Sequence, residues 1–230
     1  MNNDSPVQLT LGVNLDDDAK FENFYVTDGN QPLVNELQGD FAMLYVWGAV
    51  GTGCTHLLQS VCHKTAAEEI PTIYIPMVEL ENYSPEMLEG LTSLSVICID
   101  DFQCIAGNSD WESAFFNFFN EAKEAGARLL FSADCSPQEL SITLKDLRSR
   151  LQSIPVFKVE TMSDKQSIEA LKFRAEQRGM ELNDATAEFI YRRSNRSIDQ
   201  LMELLNKLDQ VSLVKKRRLT IPLVKETMNW

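Results

Sequence analysis

Short apolar runs alternate with longer stretches of mixed polarity along the first two thirds of the chain. The apolar runs have the length of strands, and the stretches between them have the length and apolar spacing of helices. Runs without polar residues are typical of strands buried on both faces, as in a parallel sheet covered by helices. The pattern predicts strands at 42–47, 72–76, 93–100, 128–133 and 156–159, with helices at 55–69, 85–90, 111–123 and 144–151.

Beyond residue 161 the pattern changes to helices only. Serine followed by glutamine three residues later, the spacing of a capping box, occurs twice before an apolar run. The helix signals are Ser163 with Gln166, Gly179, Asn183, Ser197 with Gln200, and Pro222. We therefore predict an α/β domain with a five-stranded parallel sheet at 21–161 and a small all-α lid domain at 162–230, after an N-terminal tail at 1–20.

The tail is polar and acidic apart from one apolar island at residues 8–13, QLTLGV. No core is adjacent in sequence, so the island either folds back or is a linear motif that docks into an apolar groove elsewhere. Alternating aromatic residues follow at 21–26, ahead of an Asp-Gly turn. We expect this segment to pack onto the main domain.

A glycine-rich turn follows the first predicted strand and opens a helix at Thr55. Gly48 and Gly53 have the separation of the Walker A frame G-x-x-x-x-G-K-[ST], and Thr55 supplies the hydroxyl on the metal side, but Cys54 occupies the lysine position. Backbone N–H groups at a helix N-terminus form most of such a phosphate cradle, whereas the lysine adds charge on the outer phosphates. We expect a nucleotide-binding scaffold that is poor at hydrolysis; the alternative is a plain tight loop.

The third predicted strand ends in two acids, Asp100 and Asp101. Paired carboxylates at the end of a buried strand are what a Walker B site needs, one for the magnesium shell and one to position water. Asp-Asp is also common at turns. The fourth strand ends near Asp134, which either reaches a terminal phosphate or caps the turn at Ser136.

Two arginines, Arg148 and Arg150, lie on the predicted helix at 144–151. Side chains two residues apart point about 200° apart on a helix, so the two arginines cannot share one role. We expect one to pair with Asp146 at the surface and the other to project outward. The projecting arginine is either solvated or offered to the nucleotide of a neighbouring subunit, where it would stabilise transition-state charge.

The helix at 111–123 carries a wide aromatic stripe. Its members are Phe115, Phe116, Phe118 and Phe119. Such a stripe is typical of a helix face in a core or a helix-facing interface, and we interpret it in that way.

The composition and net charge of the chain limit the classes of function that it can have. The chain has 230 residues, 44% of them hydrophobic, and a net charge of −13, which argues against broad sequence-independent DNA binding and favours protein partners. Lys215–Arg218 is a local basic run that we interpret as a solvated loop. No apolar run has the length of a membrane span, and the N-terminus lacks the features of a signal peptide, so we expect a cytoplasmic protein.

The five cysteines form no C-x-x-C pair, and we expect free thiols. Cys54, His56, Cys62 and His63 do not share one helical face, which disfavours a metal site, and we expect none. No sequence remains after Trp230 for a separate DNA-binding domain, so we expect no direct sequence-specific DNA binding.

Taken together, these features resemble an AAA+ module of the DnaA initiator branch, and more closely the Hda family of regulatory DnaA homologues. The likeness covers nearly the whole chain. The similar stretches are 21–24 (the first segment of the initiator's ATPase domain), 100–103 (Walker B), 131–137 (sensor 1, with Asp134 at the sensor), Arg150 (arginine finger), Gln8, Leu9 and Leu11 (clamp-binding motif), and 219–226 (the Hda C-terminus).

The resemblance implies a regulator of replication initiation rather than an enzyme in its own right. It would bind the DNA-loaded sliding clamp, the β subunit of DNA polymerase III, through residues 8–13 and use Arg150 in trans to trigger hydrolysis of ATP bound to DnaA, which prevents re-initiation. ADP or another nucleoside diphosphate, with or without Mg²⁺ on Thr55 and Asp100, is the implied cofactor. The implied nucleotide-binding residues are Gly48, Gly51, Thr52, Gly53, Cys54, Thr55, His56, Asp100, Asp101 and Asp134.

The chain departs from the family pattern in the tail and in the lid. Gly12 replaces the proline of the clamp motif. The family places the sensor 2 arginine of the lid at about position 199, but this chain has Asp199 there, so a carboxylate would face the phosphates. Arg196 is the substitute if the turn shifts by one residue. An independent AAA+ ATPase and a non-catalytic clamp adaptor that uses the aromatic helix as a platform remain as alternatives, and a homo-oligomer is left open.

Overall fold

A parallel sheet of five strands occupies the centre of the larger part of the molecule, in the order β2-β3-β4-β1-β5. The computed structural model describes residues 15–194, 197–215 and 218–230, so the island at 8–13 lies outside the described residues. The strands are β1 (Met43–Trp47), β2 (Thr72–Pro76), β3 (Val96–Asp100), β4 (Arg128–Ala133) and β5 (Val156–Lys158).

Helices cover both faces of this sheet and form the lid. They are α1 (Gln31–Gln38), α2 (Cys54–Ala67), α3 (Ser109–Ala125), α4 (Lys145–Gln152), α5 (Asp164–Gln177), α6 (Asp184–Arg193), α7 (Ile198–Lys215) and α8 (Ile221–Met228). Among the described residues, none of these helices combines the length and apolar composition that a membrane crossing requires.

The register aligns the strand ends that matter for function. Trp47 pairs with Ala133 and Ile99 with Phe131, so the carboxyl ends of β1, β4 and β3 lie side by side at one edge of the sheet. Because all neighbouring strands are parallel, the loops that follow them open onto the same edge. The predicted five-stranded parallel sheet with a helical lid is confirmed.

Each face of the sheet buries its own hydrophobic cluster. Successive side chains of a strand point to opposite faces, so Tyr45 and Phe131 pack towards α3 and α4, whereas Val46 and Leu130 pack towards α1 and α2. The aromatic stripe of α3 belongs to the first cluster. Phe115, Phe118 and Phe119 are buried and Phe116 is half-buried, in agreement with the interpretation of the stripe as core.

The lid helices pack around their own leucine-rich cluster. Ser163 and Gln166 form the predicted capping box at the start of α5, and the Asn183 side chain accepts a hydrogen bond from the N–H of Thr186 at the start of α6. Gly179 follows α5 with a left-handed φ of 70°. Ser197 and Gln200 adjoin residues 195–196, which are outside the described ranges.

Several element boundaries differ from the sequence pattern. β3 begins at Val96 rather than at 93, because residues 91–93 form a 3-10 turn. α3 begins two residues early, because the Asn108 side chain caps it by accepting from the N–H groups of Asp110 and Trp111. The pattern did not predict α1, and the short helix predicted at 85–90 is a 3-10 helix at Pro85–Leu88.

Candidate nucleotide-binding site

The loop between β1 and α2 has the backbone shape of a phosphate cradle. Gly51 and Gly53 adopt left-handed φ angles of 82° and 98°, which residues with a Cβ adopt only with strain. A Cβ at Gly53 would lie 2.8 Å from the Phe24 ring, and one at Gly48 would lie 2.4 Å from the Thr52 hydroxyl. The loop therefore needs glycine at these positions, and its N–H groups at the start of α2 have no partner within the helix.

Cys54 brings no charge to this cradle. Its Sγ lies 3.7 Å from the Thr52 hydroxyl, and burial raises the pKa of the thiol to about 11, with a smaller contribution from the nearby carboxylates. The side chain is therefore a neutral thiol at physiological pH. The Thr55 side chain is exposed at the first turn of α2, where its hydroxyl can reach a metal ion or phosphate.

Asp100 is almost fully buried and is held by protein donors. Its Oδ1 accepts hydrogen bonds from the Ser132 hydroxyl and from the N–H of Asp101, and its Oδ2 accepts one from the Tyr74 hydroxyl at 2.6 Å. A carboxylate has about four lone-pair directions, so roughly one remains on Oδ2. Asp100 can therefore meet Mg²⁺ through one remaining lone pair or through the ion's water shell.

Asp101 is linked to Asp134 through one amide side chain. Gln103 donates to the Asp101 carboxylate at 2.9 Å and accepts from the N–H of Asp134 at 3.3 Å. Burial raises the pKa of Asp101, and the charges of Asp100 and Asp134 raise it further, against the hydrogen bond from Gln103. Gln103 was part of the Walker B stretch in the sequence, but only the fold brings it between the two strand ends.

The N-terminal segment (residues 15–25) closes one side of the cleft. The His56 ring contacts the carbonyl oxygen of Lys20 at 2.9 Å, and the His63 ring contacts that of Asp16 at 2.8 Å. Burial lowers the pKa of His56. Both histidines of the chain thus anchor this segment to α2, and His56 lines the cleft while its ring nitrogen is engaged by the backbone.

Two arginines enter the cleft from the lid, Arg174 on α5 and Arg178 at the C-cap of α5. Arg178 and Arg174 donate to the same Asp18 oxygen at 2.6 Å and 3.1 Å, and Arg174 also donates to the Asn23 carbonyl at 3.4 Å. The sequence pattern did not predict a role for either arginine. Their only signal is their four-residue spacing on one helix face, which does not indicate a partner 156 residues away.

The cleft between the sheet edge and the lid has a volume of about 590 Å³, within the range of small-molecule sites. The phosphate loop, Asp100, Asp101 and Asp134 line one side, and apolar lid residues including Met162, Ala170 and Met202 line the other. A nucleoside diphosphate fits this donor set, because backbone N–H groups hold phosphate and apolar side chains cover the rest. The side chain of Asp199 and all of Arg196 lie outside the described parts of the chain.

Arg150 lies away from this cleft. It is half-buried on α4 and is not among the residues that line the cleft. Its side chain forms no hydrogen bond or ion pair with any residue that the structure describes. We expected one of the two arginines to pair with Asp146, and neither does. Arg148 turns back and donates to the carbonyl oxygen of Ile142, which lies just before the first turn of α4.

A parallel sheet with a phosphate loop after β1, an acidic end to β3 and a helical lid define an AAA+ protein of the P-loop class. Residues 15–156 match the family model described as the bacterial DnaA ATPase domain, and residues 164–228 match that of the Hda lid domain. The first match covers more than half of the chain. The chain therefore belongs to the bacterial DnaA ATPase domain family as an Hda-like, DnaA-homologous AAA+ protein, and is a DnaA-related replication regulator.

Similar proteins agree with this assignment. An uncharacterized protein of Haemophilus influenzae is 40% identical over 228 residues, which cover 96% of this chain and 98% of that one. Domain III of Thermotoga maritima DnaA superposes with a TM-score of 0.79 at 24% identity, covering 94% of this chain and 98% of that one. AMPPCP-bound DnaA from Aquifex aeolicus gives 0.71 at 22% identity, covering 86% and 67%. The two structural likenesses concern the fold alone.

Proposed function

We propose that this chain regulates replication initiation by stimulating the hydrolysis of ATP bound to DnaA, with Arg150 supplied in trans. The observation that carries the proposal is the position of Arg150 on α4, outside the chain's own cleft and without a side-chain partner among the described residues. An arginine placed in this way cannot serve its own nucleotide, but it can stabilise transition-state charge on a nucleotide held by a neighbouring molecule.

The chain's own site supports a regulatory role. Cys54 leaves the outer phosphates without a lysine, and the two lid arginines in the cleft, Arg174 and Arg178, are both paired with Asp18. Among the residues that the structure describes, the cleft thus holds more carboxylate than free positive charge, which disfavours a triphosphate more than a diphosphate. ADP is the cofactor we propose, with Thr55 and the remaining lone pair of Asp100 as the contacts available to Mg²⁺.

Recruitment is assigned to the tail. Gln8, Leu9 and Leu11 lie outside the described residues, and their proposed docking on the sliding clamp rests on the motif alone. The anchored segment 15–25 leads from the tail directly to the cleft, since Asp16 and Ala19 are bonded to α2. A net charge of −13 supports recruitment to DNA through a protein rather than through direct phosphate contacts.

The test is the rate of hydrolysis of DnaA-bound ATP with clamp-loaded DNA present. The intact chain accelerates hydrolysis, and Arg150→Ala reduces the acceleration by on the order of a thousandfold or to the unstimulated rate, because an arginine finger contributes that much. The matched control is Arg192→Ala, which removes an arginine that is 75% exposed and pairs with Glu188 on α6. The control keeps full stimulation. Full stimulation by Arg150→Ala would overturn the proposal.

A further inference from the structure

One buried carboxylate on α3 holds the chain that leads into α4. Glu112 is 0% exposed, although it lies in the first turn of its helix. Its Oε2 accepts hydrogen bonds from the Thr143 hydroxyl at 2.6 Å, the Thr143 N–H at 3.0 Å and the Leu144 N–H at 2.8 Å. Its Oε1 accepts from the N–H of Gly107 at 2.8 Å. Glu112 therefore joins two segments by hydrogen bonds: the residues just before α3 and the residues just before α4.

The geometry keeps Glu112 ionised. Burial alone would raise the pKa of its carboxyl group, but the hydrogen bonds from Thr143, Leu144 and Gly107 outweigh it and lower the pKa below the usual glutamate value. A buried carboxylate is tolerated only when donors replace its lost water, and here four donor groups do so. Removal of the carboxylate would leave the N–H groups of Gly107, Thr143 and Leu144 without this acceptor.

The bonds of Glu112 fix the start of the helix that carries Arg150. Leu144 is the N-cap residue of α4, and α4 has only eight residues. Arg148 adds a second tie at the same end, since its guanidinium donates to the carbonyl oxygen of Ile142. In so short a helix, the orientation of the first turn also sets the orientation of the last turn, where Arg150 lies. The direction of Arg150 therefore depends on how firmly residues 142–144 are held.

We propose that Glu112 is a positioning residue for Arg150. It holds α4 in the orientation that presents the arginine to a nucleotide outside the chain. The inference rests on the proposed function and names the residue on which the precision of that function depends. Misplacement of a catalytic group by about 1 Å costs on the order of a hundredfold in rate, so loosening α4 lowers the rate of hydrolysis.

The first experiment compares Glu112→Gln with Glu139→Gln in hydrolysis of DnaA-bound ATP. Glu112→Gln keeps the volume but turns an amide NH₂ towards N–H donors. Its maximal stimulated rate falls about tenfold to a hundredfold, and the concentration for half-maximal stimulation changes less than about twofold. Glu139 is the matched control, because it is exposed in the connection between β4 and α4 and, among the described residues, accepts hydrogen bonds only from Ser136, at 3.1 Å and 2.7 Å. Glu139→Gln keeps the intact rate. An unchanged maximal rate in folded Glu112→Gln would overturn the inference.

The second experiment combines Glu112→Gln with Arg150→Ala. If Glu112 acts only through Arg150, the double variant is no slower than Arg150→Ala alone; a loss that adds to that of Arg150→Ala overturns the inference. If Glu112→Gln fails to fold, Thr143→Val takes its place and lowers the maximal rate, whereas Thr143→Ser, which keeps the hydroxyl, restores it. Equal rates for the two Thr143 variants overturn the inference.

The two failures are distinguishable. If Arg150→Ala is inactive while the Glu112 and Thr143 variants are folded and fully active, the positioning role is wrong and the proposed function stands. If Arg150→Ala stimulates as well as the intact chain, the proposed function is wrong and the positioning role falls with it.

Discussion

Single side chains decide the charge of the cleft. Arg174 is 7% exposed, and its charge is compensated by Asp18, which also accepts from Arg178. A buried guanidinium without such a partner would be costly in free energy. The ion pairs therefore hold Asp18 in place and also hold the lid against the N-terminal segment. The ion pair ties the N-terminal segment to the helix that covers the cleft. Neither Arg174 nor Arg178 is left unpaired for phosphate.

The Asp18 ion pair predicts a dependence of stability on pH. Burial opposes ionisation of Asp18, but the hydrogen bonds and charges of Arg178 and Arg174 lower its pKa below the ordinary value. A depressed pKa means that the pair stabilises the fold above the unfolded pKa of about 3.9 and loses this contribution as the pH falls through the folded pKa. We expect Asp18→Asn to lower the free energy of unfolding by about 1 kcal/mol at pH 7, because Asp18 is half-exposed and solvent screens the pair.

The measurement is chemical denaturation of the intact chain and Asp18→Asn between neutral pH and pH 2. The difference between them shrinks as the pH drops below about 4. Asp28→Asn is the matched control, since Asp28 is exposed on the same stretch of chain, and it should follow the intact protein at every pH. A difference for Asp18→Asn that stays constant with pH would contradict the role given to the ion pair.

At the level of elements, α3 serves the core rather than a partner. Phe115 packs edge-on against Phe102 at 4.9 Å between ring centroids, and Phe102 packs against Phe131 of β4 at 5.0 Å. Such contacts add to the area that the rings bury. The adaptor alternative, in which the aromatic face of α3 is a docking platform, is disfavoured because that face is already covered by the sheet.

Truncation of the α3 stripe tests this assignment. Phe115→Ala should lower the free energy of unfolding by about 3–5 kcal/mol, since Phe115 is buried against three aromatic rings. Phe116→Ala, on the half-buried side of the same helix, should cost about 1 kcal/mol. Equilibrium unfolding in urea measures both. Equal small losses would place the stripe on the surface instead of in the core.

The sequence pattern predicted an element well where the element's own residues form a continuous apolar run. β3 and β4 are continuous apolar runs, so their existence did not depend on knowing their neighbours. The pattern did not predict α1 because only Leu33, Val34 and Leu37 of its eight residues are buried, which is too few to give a strong helical period. Helix ends also shifted wherever a side chain such as Asn108 provided a cap that the apolar period does not register.

The candidate site was predictable only in part, for a related reason. The phosphate loop and the acids at the strand ends are local patterns, and they could be read from neighbouring residues. Arg174 and Glu112 act on residues 156 and 31 positions away, and their roles depend on the packing of separate helices. No spacing rule connects such residues, and only the fold does.

At the scale of the whole molecule, three parts meet around one cleft: the N-terminal segment, the sheet edge and the lid. α4 and Arg150 stand apart from that meeting point. Under the proposed function, this separation gives one chain two roles: an acidic cleft for its own nucleotide and an arginine directed to another molecule.

The most direct test of the account asks whose ATP is hydrolysed. Labelled ATP is bound to DnaA, excess nucleotide is removed, and single-turnover phosphate release is followed with clamp-loaded DNA and the intact chain; a parallel reaction gives labelled ATP to this chain alone. We expect accelerated phosphate release from DnaA and no release above background from the chain alone. Turnover by the chain alone with no effect on DnaA-bound ATP would contradict it.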